Sequence, residues 1–310
     1  MTPPTAEAAT TEVDIEVALV DRVDALNALD LDATTDVTPG WAEAPPLPHQ
    51  PSKILRSLVS AGYGILGFIV LGVVWHVVHL RADTLPGPIE TLSTLRELVG
   101  QAFVADSASG KGIGLQLGDS LLRVAKGFGM AVVVGVPFGL LIGTNRVAFR
   151  MFNPIVQLLR PVSPLAWFPI WLTILVKADP AAVWTIFITC IWPIVINTSA
   201  GALSVPSDQR DVARVFRMSR ATQLRHIVVP HALPPIITGL RISMGVAWMV
   251  IIAAEMLSAA SGVGFFVWSA YNGPGLKYVI SAILLIGAVG VVLDMALVTI
   301  GKRLSPEVAR

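Results

Sequence analysis

Residues 278–300 read YVISAILLIGAVGVVLDMALVTI, a run in which Asp294 is the one charged side chain. A helix needs about 20 mainly apolar residues to cross the hydrocarbon core of a bilayer. The run therefore predicts a transmembrane helix, and the same pattern recurs along the chain. The further predicted spans are residues 58–80, 126–143, 154–176, 181–203 and 236–257.

The composition of the whole chain agrees with a membrane location. Of its 310 residues, 54% are hydrophobic and 14% are charged, whereas a soluble domain carries about 25% charged residues. A buried core alone does not explain this deficit. We therefore predict an all-α membrane protein with about six transmembrane helices. Cys190 is the one cysteine and has no disulfide partner, and the histidines lack metal-ligand spacing, so we expect neither redox chemistry nor a metal site.

The N-terminal segment differs from the rest of the chain. Residues 1–52 are acidic and rich in proline, and like-charge repulsion, proline and low hydrophobicity all disfavour a packed structure. We expect a mobile cytoplasmic tail here, with an acidic amphipathic helix over Val13–Leu31 as the alternative. The membrane domain then occupies residues 53–310. No cleaved signal peptide is expected, because the first apolar run lies behind this tail and is too long.

The distribution of basic residues predicts the orientation. Cytoplasmic loops of membrane proteins are enriched in Lys and Arg, and with six spans the more basic loops fall on the same side as both termini. We therefore predict a multi-pass protein of the inner (cytoplasmic) membrane with both termini in the cytoplasm. The first external loop, residues 81–117, is long, and Pro88–Leu98 within it favours a surface helix.

Two features within the spans concern helix packing. Gly135, Gly139 and Gly143 repeat at four-residue spacing, which puts three small residues on one face where another backbone can approach closely; the alternative is that the repeat only reflects the frequency of glycine in membrane helices. The span over residues 154–176 begins at Pro154 and is interrupted by three further prolines, Pro161, Pro164 and Pro169. Because each proline frees a carbonyl that protein or cavity water must satisfy, this span is not expected to face lipid on all sides.

The segment 207–235, SDQRDVARVFRMSRATQLRHIVVPHALPP, is too polar to span and too periodic to be a linker. Ser207 or Asp208 can cap a first short helix, and Ser219 can cap a second. The apolar side chains of the first helix share one face: Val212, Val215 and Phe216. The prolines from Pro230 onward are expected to end the second helix before the fifth span. The pattern predicts either a helical hairpin that docks a partner or a surface loop whose arginines bind lipid phosphate.

This loop resembles the cytoplasmic signature loop of bacterial ABC-importer permeases. The matching positions are Asp211, Val212 and Ala213 at its start and Ile227, Val229 and Pro230 at its end. Asp211 replaces the usual glutamate and keeps the carboxylate. Arg217 stands where glycine is usual, which puts the tightness of the turn in question. The resemblance implies that residues 208–230 insert into a groove of an ATPase subunit and transmit its motion.

The similarity extends over most of residues 118–300 and implies a type I ABC-importer permease fold. It is closest to the nitrate, sulfonate and taurine branch, and within it to the nitrate, cyanate and bicarbonate subgroup. The stretches that carry it are RPVSPLAWFPIWL (160–172), IWPIVINT (191–198), GLRISMGVAW (239–248) and AAEML (253–257).

The resemblance implies a non-catalytic permease subunit without a cofactor. The chain has no GxxxxGK[ST] phosphate-binding loop, so cytoplasmic ATPase subunits are expected to hydrolyse the ATP. The other expected partners are a second permease copy, an extracytoplasmic substrate-binding protein and the bilayer, with no nucleic acid. Nitrate or nitrite leads as substrate, followed by bicarbonate, cyanate, taurine and alkanesulfonates. The implied ATPase-coupling residues are Asp211, Val212, Ala213, Arg214, Val215, Phe216, Arg217, Ile227 and Pro230.

Ionisable side chains inside a membrane are costly and therefore suggest function. A small oxyanion must exchange its water for N–H or O–H donors, so cationic and amide side chains in the spans are candidates for the translocation pathway. Snorkelling to headgroups is the alternative for Arg160 and Arg241, and for Glu255 pairing within the bundle is expected. The candidate pathway residues are Arg160, Ser163, Asn197, Thr198, Arg241 and Glu255.

Two other classes of membrane protein are considered. A secondary transporter predicts an internal repeat of the span pattern, and an intramembrane enzyme needs a nucleophile paired with a base or a metal site. The sequence displays neither of these patterns.

Overall fold

The computed structural model describes residues 53–82, 84–104, 111–258, 261–273 and 275–304, so the predicted mobile tail of residues 1–52 lies outside this part of the chain. Every regular element in these ranges is a helix, which confirms the all-α prediction. In chain order they are α1 (Lys53–Arg81), α2 (Pro88–Gly100), α3 (Ile113–Thr144), α4 (Arg146–Leu159), α5 (Pro164–Leu175), α6 (Ala178–Leu203), α7 (Ser207–Val215), α8 (Arg220–Gln223), α9 (Val229–Ser258), α10 (Val263–Asn272) and α11 (Leu276–Leu304), with a π-helical turn (Leu224–Val228) between α8 and α9.

The membrane-spanning helices agree with the prediction of about six spans. Within the described residues, five helical segments are long and apolar enough to cross a bilayer, and α4 with α5 forms a sixth when this bent pair is taken as one span. The five are Gly62–Arg81, Ile113–Thr144, Ala178–Leu203, Arg220–Ser258 and Leu276–Leu304. Residues 66–310 form one compact unit, and the contacts analysed below all lie within it.

The third span is broken at Pro161 and Pro164. The axes of α4 and α5 differ by 95°, and the four residues between the helices begin at Arg160 and end at Ser163. Pro164 is the first residue of α5, and Ser163 before it is extended, with φ −58° and ψ 128°. The residue before a proline is driven out of the helical region, and proline fits the first helical position, where its missing N–H costs nothing. The chain therefore turns here.

The second span is longer than its apolar run, because α3 begins at Ile113 rather than near residue 126. Its first third carries Asp119 and Arg123, which lower the hydropathy of that part. Arg123 is nevertheless buried, because carboxylates of other helices surround it. A hydropathy average penalises every charged side chain equally. It contains no information about an ion-pair partner that offsets the cost of burying the charge.

A ladder of glycines on α3 packs against α6, as the four-residue spacing predicts. A Cβ added at Gly139 would lie 2.6 Å from Cβ of Thr198, and one at Gly143 would lie 2.6 Å from Cβ of Ala202. Gly135 faces Ile194 in the same way. These distances leave no room for a side chain, so the close approach of the two helices depends on glycine.

The fifth span runs on from the hairpin without interruption, so the expectation that Pro230 ends the second hairpin helix is wrong. The amide of Val229 donates to the carbonyl of Leu224, five residues earlier, which closes the π-helical turn. In a regular helix a proline ring clashes with the carbonyl four residues before it. The wider π turn lies where that clash would fall, and helix α9 continues through Pro230 and Pro234.

The external segment contains the predicted helix at Pro88, which extends to Gly100 as α2. This helix packs on α11, where the Ser281 hydroxyl donates to the carbonyl of Thr91 at 3.0 Å. The segment before it folds back on α1, since the indole of Trp75 donates to the carbonyl of Pro86 at 3.2 Å.

Candidate functional site

The polar segment after α6 forms the expected hairpin of two short helices. Ser219 caps α8, its hydroxyl accepting from the amide of Thr222 at 3.2 Å. The first helix begins differently from the expectation, because its N-cap is Pro206 and no side chain caps it. Asp208 lies in its first turn, where a carboxylate favours the helix dipole. At the base of the hairpin, the guanidinium of Arg210 donates to the carbonyl of Leu203 at 2.8 Å and so caps the end of α6.

The turn of this hairpin is tight although it lacks the usual glycine. Arg217 adopts φ +47°, in the left-handed region that favours glycine. The amide of Met218 donates to the carbonyl of Ala213 at 2.9 Å, and that of Arg217 donates to Arg214 at 3.1 Å. This pair of hydrogen bonds is the Schellman motif that ends many helices. Arg217 therefore adopts the left-handed conformation that glycine usually provides at this position.

The hairpin exposes apolar side chains instead of packing them. Val215 is 79% exposed and Phe216 72% exposed, and Val212 is exposed beside them. Ala213 is buried under the helix, while Asp211 and Arg214 form a solvent-exposed ion pair at 2.7 Å. Ile227 packs against the cluster of Ala202, Val205 and Val228, and Pro230 is exposed in the first turn of α9.

Arg160 and Ser163 lie at the break in the third span. Both are exposed, and Arg160 lines a cavity of about 190 Å³ together with Trp167 of α5 and with Thr189 and Trp192 from the middle of α6. Among the described residues Arg160 has no ion-pair or hydrogen-bond partner for its side chain. An unpaired guanidinium is costly to place in lipid, which favours the cavity over a lipid-facing surface as the environment of the Arg160 side chain.

The other candidates of the pathway do not line this cavity. The amide of Asn197 donates to the carbonyl of Pro193 at 2.8 Å, within its own helix and against Gly239 of α9. Thr198 is fully buried against Gly139, and within the described chain its hydroxyl has no hydrogen-bond partner. Both side chains contribute to the packing of α6, and their assignment to the pathway stays a prediction.

Arg241 joins the fifth and sixth spans through a two-pronged ion pair. Its Nε and Nη2 donate to the two carboxylate oxygens of Asp294, each at 2.9 Å. This fork geometry uses both acceptors of the carboxylate. The side chains are 44% and 51% exposed in the single chain. The charge of Arg241 is therefore neutralised by a neighbour, whereas that of Arg160 is not.

Glu255 is the most deeply buried of the charged residues among the predicted site residues and holds the end of the fifth span. Its side chain is 1% exposed, and its carboxylate accepts from Arg123 at 2.7 Å, from the Ser120 hydroxyl at 2.9 Å and from the amide of Gly264 at 3.0 Å. Glu255 is therefore paired within the helix bundle, as expected from its charge.

Arg123 completes this cluster and links four helical segments. Its Nε donates to Asp179 at the start of α6 at 2.9 Å, and further hydrogen bonds reach the carbonyl and hydroxyl of Ser261. The Arg123 side chain is 8% exposed, whereas that of Asp179 is 68% exposed. We call Ser120, Arg123, Asp179, Glu255 and Ser261 the buried charge cluster.

Two glycines make room for this cluster. Gly262 has φ +140°, and a Cβ there would overlap the carboxylate of Glu255; a Cβ at Gly264 would overlap the carbonyl of Ile252. The sequence singled out Glu255 as an intramembrane charge that should pair within the bundle, but it did not identify Arg123 as the partner, nor Asp179 and Ser261 as members of the cluster. The usable signal was one basic and one acidic residue in separate spans, each costly alone.

Comparison with known proteins gives a consistent picture. The family model "Binding-protein-dependent transport system inner membrane component" matches residues 135–306. A nitrate import permease protein, NrtB, of Synechocystis sp. is 43% identical over 243 residues, covering 78% of this chain and 86% of that protein. The bicarbonate transport system permease protein CmpB of Synechococcus elongatus is 44% identical over 235 residues, covering 74% and 84%.

More distant proteins extend this picture. The taurine transport system permease protein TauC of Escherichia coli is 31% identical over 255 residues, which is 81% of this chain and 91% of that protein. Among solved structures, an inward-facing form of the MetNI methionine ABC transporter matches with a TM-score of 0.55 at 16% identity, covering 60% of this chain and 93% of that one. At this identity the similarity supports the fold alone.

Proposed function

The chain belongs to the family of inner membrane components of binding-protein-dependent transport systems, and on that premise we propose that it forms the pathway of an ATP-driven importer for a small oxyanion. Nitrate or nitrite is the first candidate, because a nitrate import permease is among its most similar relatives. Bicarbonate is the nearest alternative by the same measure, followed by cyanate, taurine and alkanesulfonates.

The observation that carries the proposal is the exposed apolar surface of the hairpin. Phe216, Val215 and Val212 present a compact apolar face at the tip of a segment that runs continuously into α9. Exposed aromatic and aliphatic anchors of this kind mark protein–protein contacts. Because the chain lacks a phosphate-binding loop, the occupant of this surface is an ATPase subunit, and movement of that subunit would be passed directly to the fifth span.

The remaining parts of the assembly follow from the same premise. A second copy of the chain would enclose the pathway, and an extracytoplasmic binding protein would deliver the anion. Both termini would then lie in the cytoplasm, on the side of the hairpin, in agreement with the excess of Lys and Arg on that side.

Arg160 is the cation that we assign to the pathway. It is exposed at the broken span and no carboxylate in the described part of the chain neutralises it, so its charge is available to an anion. Arg241 is bound by Asp294 and Glu255 is enclosed by donors, which suits them to holding helices together. In this proposal they stabilise the walls of the pathway.

The function is tested by reconstituting the chain with its ATPase and binding protein in proteoliposomes and measuring nitrate and bicarbonate uptake. We expect uptake that requires ATP; uptake driven by an ion gradient without ATP would identify a secondary transporter instead. Arg160→Ala should abolish anion uptake while the complex still assembles, and Arg146→Ala at the start of α4 is the matched control.

The coupling surface has its own test. Arg214→Glu combined with Phe216→Ala should detach the ATPase in a pull-down from detergent-solubilised membranes. The control pair Arg150→Glu and Met151→Ala makes the same charge reversal beside an exposed apolar truncation on α4, and should leave the complex intact. Retention of the ATPase by the first pair would refute the assignment.

A further inference from the structure

The cavity at the broken third span is lined by side chains whose hydrogen-bond donors no group in the described part of the chain accepts. Its polar lining consists of Arg160, Trp167, Thr189 and Trp192, and the rest of its wall is aliphatic side chains and prolines. No carboxylate lines it. In the described part of the chain, neither the guanidinium of Arg160 nor the indole N–H of Trp167 or Trp192 has a protein acceptor.

The one side-chain hydroxyl in the cavity lining already donates its proton within its own helix. Thr189 donates its proton to the carbonyl of Thr185 at 2.7 Å, so it turns only oxygen lone pairs toward a ligand. Among its side chains, the cavity therefore combines one positive charge and two neutral N–H donors with a single weak acceptor. Because an indole has a donor and no acceptor, this arrangement is selective for a ligand that accepts hydrogen bonds.

The position of the cavity adds to this argument. Thr189 and Trp192 lie near the middle of α6, where bulk water does not reach a lipid-facing surface. An anion at this depth must find in the protein the donors that it leaves behind in water. Arg160, Trp167 and Trp192, which all carry N–H donors, line one cavity at the break between α4 and α5 and can meet that requirement.

We infer that this cavity is an anion-binding site in which Arg160 and the indole N–H groups of Trp167 and Trp192 hold a small, singly charged oxyanion without a proton donor of its own, such as nitrate or nitrite. The inference rests on the proposed import function and names the site and the residues that select its substrate. Nitrate spreads one charge over three oxygens, which match the three donor groups. Bicarbonate carries an O–H and needs an acceptor, for which the Thr189 hydroxyl is the one side-chain candidate in the lining.

The test begins with Trp192→Phe and Trp167→Phe, which keep an aromatic ring and remove the N–H. Nitrate uptake is measured in the reconstituted complex with its ATPase and binding protein. Each variant should raise the KM for transport or lower uptake by about tenfold, the loss expected when a hydrogen bond to a charged group is removed. Trp192→His, which retains a ring N–H, should recover much of the loss. Trp268→Phe on α10, where the indole is exposed outside the cavity, is the matched control and should behave as the wild type.

Thr189→Val separates the two kinds of anion, since valine keeps the shape and removes the acceptor. This change should lower bicarbonate uptake more than nitrate uptake, and the ratio of the two uptake rates is the readout. Wild-type uptake of both Trp→Phe variants, each assembled as judged by size-exclusion chromatography, would overturn the site while leaving the import function intact. If the wild type takes up bicarbonate in place of nitrate, and Thr189→Val loses that uptake, the proposed selection for an anion without a proton donor is overturned. Absence of ATP-dependent uptake of any anion by the wild type would instead refute the proposed function.

Discussion

Removing the carboxylate of Glu255 should destabilise the protein more than any other single change at the end of the fifth span. Glu255→Ala deletes an acceptor of three hydrogen bonds, from Arg123, Ser120 and Gly264. Breaking a buried ion pair by removing one partner costs about 3–5 kcal/mol, because the other charge stays buried. Asp179 still holds Arg123 from the solvent side, so the expected loss lies within this range and not above it.

The mechanism is tested by a double-mutant cycle. Arg123→Met should cost a similar amount, about 3–5 kcal/mol, since it leaves Glu255 charged in a dry site. Replacing both residues by Met removes the unpaired charge altogether and fills similar volume, so the double variant should be more stable than either single one. An interaction energy of this kind appears for residues that are in contact or share one hydrogen-bond network, and not for distant, independent sites.

The measurement is the thermal unfolding midpoint of the purified complex in lipid nanodiscs, followed by loss of the monodisperse peak after heating. Because the unfolding entropy grows with chain length, about 3–5 kcal/mol corresponds for 310 residues to a midpoint lower by roughly 5–8 °C. If the two single losses simply add in the double variant, the pair does not interact in the membrane. If both single variants unfold like the wild type, the cluster is not buried there.

Three further changes test separate parts of the structure. Arg217→Gly should keep ATPase binding in a pull-down and raise the unfolding midpoint slightly. Relief of the left-handed backbone strain, about 1–2 kcal/mol, exceeds the entropy cost of glycine, about 0.5–1 kcal/mol. Detachment of the ATPase would show that the arginine itself is needed. Gly264→Ala should reduce the yield of folded protein, since its Cβ would overlap the backbone of α9, whereas Gly245→Ala has open space around it and should express normally; equal yields would contradict the packing. Arg241→Gln should lower stability, and Arg241→Gln with Asp294→Asn should restore it in the same unfolding assay; additive losses would argue against the ion pair.

The sequence identifies the spans because the cost of placing polar groups in lipid is large and local. The six apolar runs, the glycine ladder centred on Gly139 and the hairpin after α6 all follow from patterns within a few turns of helix. The start of α3 does not follow, since Asp119 and Arg123 lower the hydropathy of a segment whose cost is met by partners more than fifty residues away. The continuation of α9 through Pro230 likewise depends on a π turn, which propensity does not predict.

Part of the candidate site could be predicted from the sequence for the same reason. Charged residues in apolar runs single out Arg160, Arg241 and Glu255, because a charge in a membrane is conspicuous in any sequence. Their roles depend on which of them have partners, and pairing is a property of the three-dimensional contacts. The cavity tryptophans carried no such signal, since an indole in a membrane helix is common and its free N–H is visible only once its neighbours are known.

Pairing divides the intramembrane charges into two kinds with different consequences for an anion. Arg123 with Glu255, and Arg241 with Asp294, cancel in place, so these pairs add cohesion between helices and little net field. Arg160 has no such partner within the described chain, so its field is not cancelled locally and acts on whatever enters the cavity. A pathway for anions needs few such charges, since a strongly cationic lining would bind the ion too tightly to release it. One unneutralised arginine supported by neutral N–H donors is the arrangement that attracts a singly charged anion and still lets it leave.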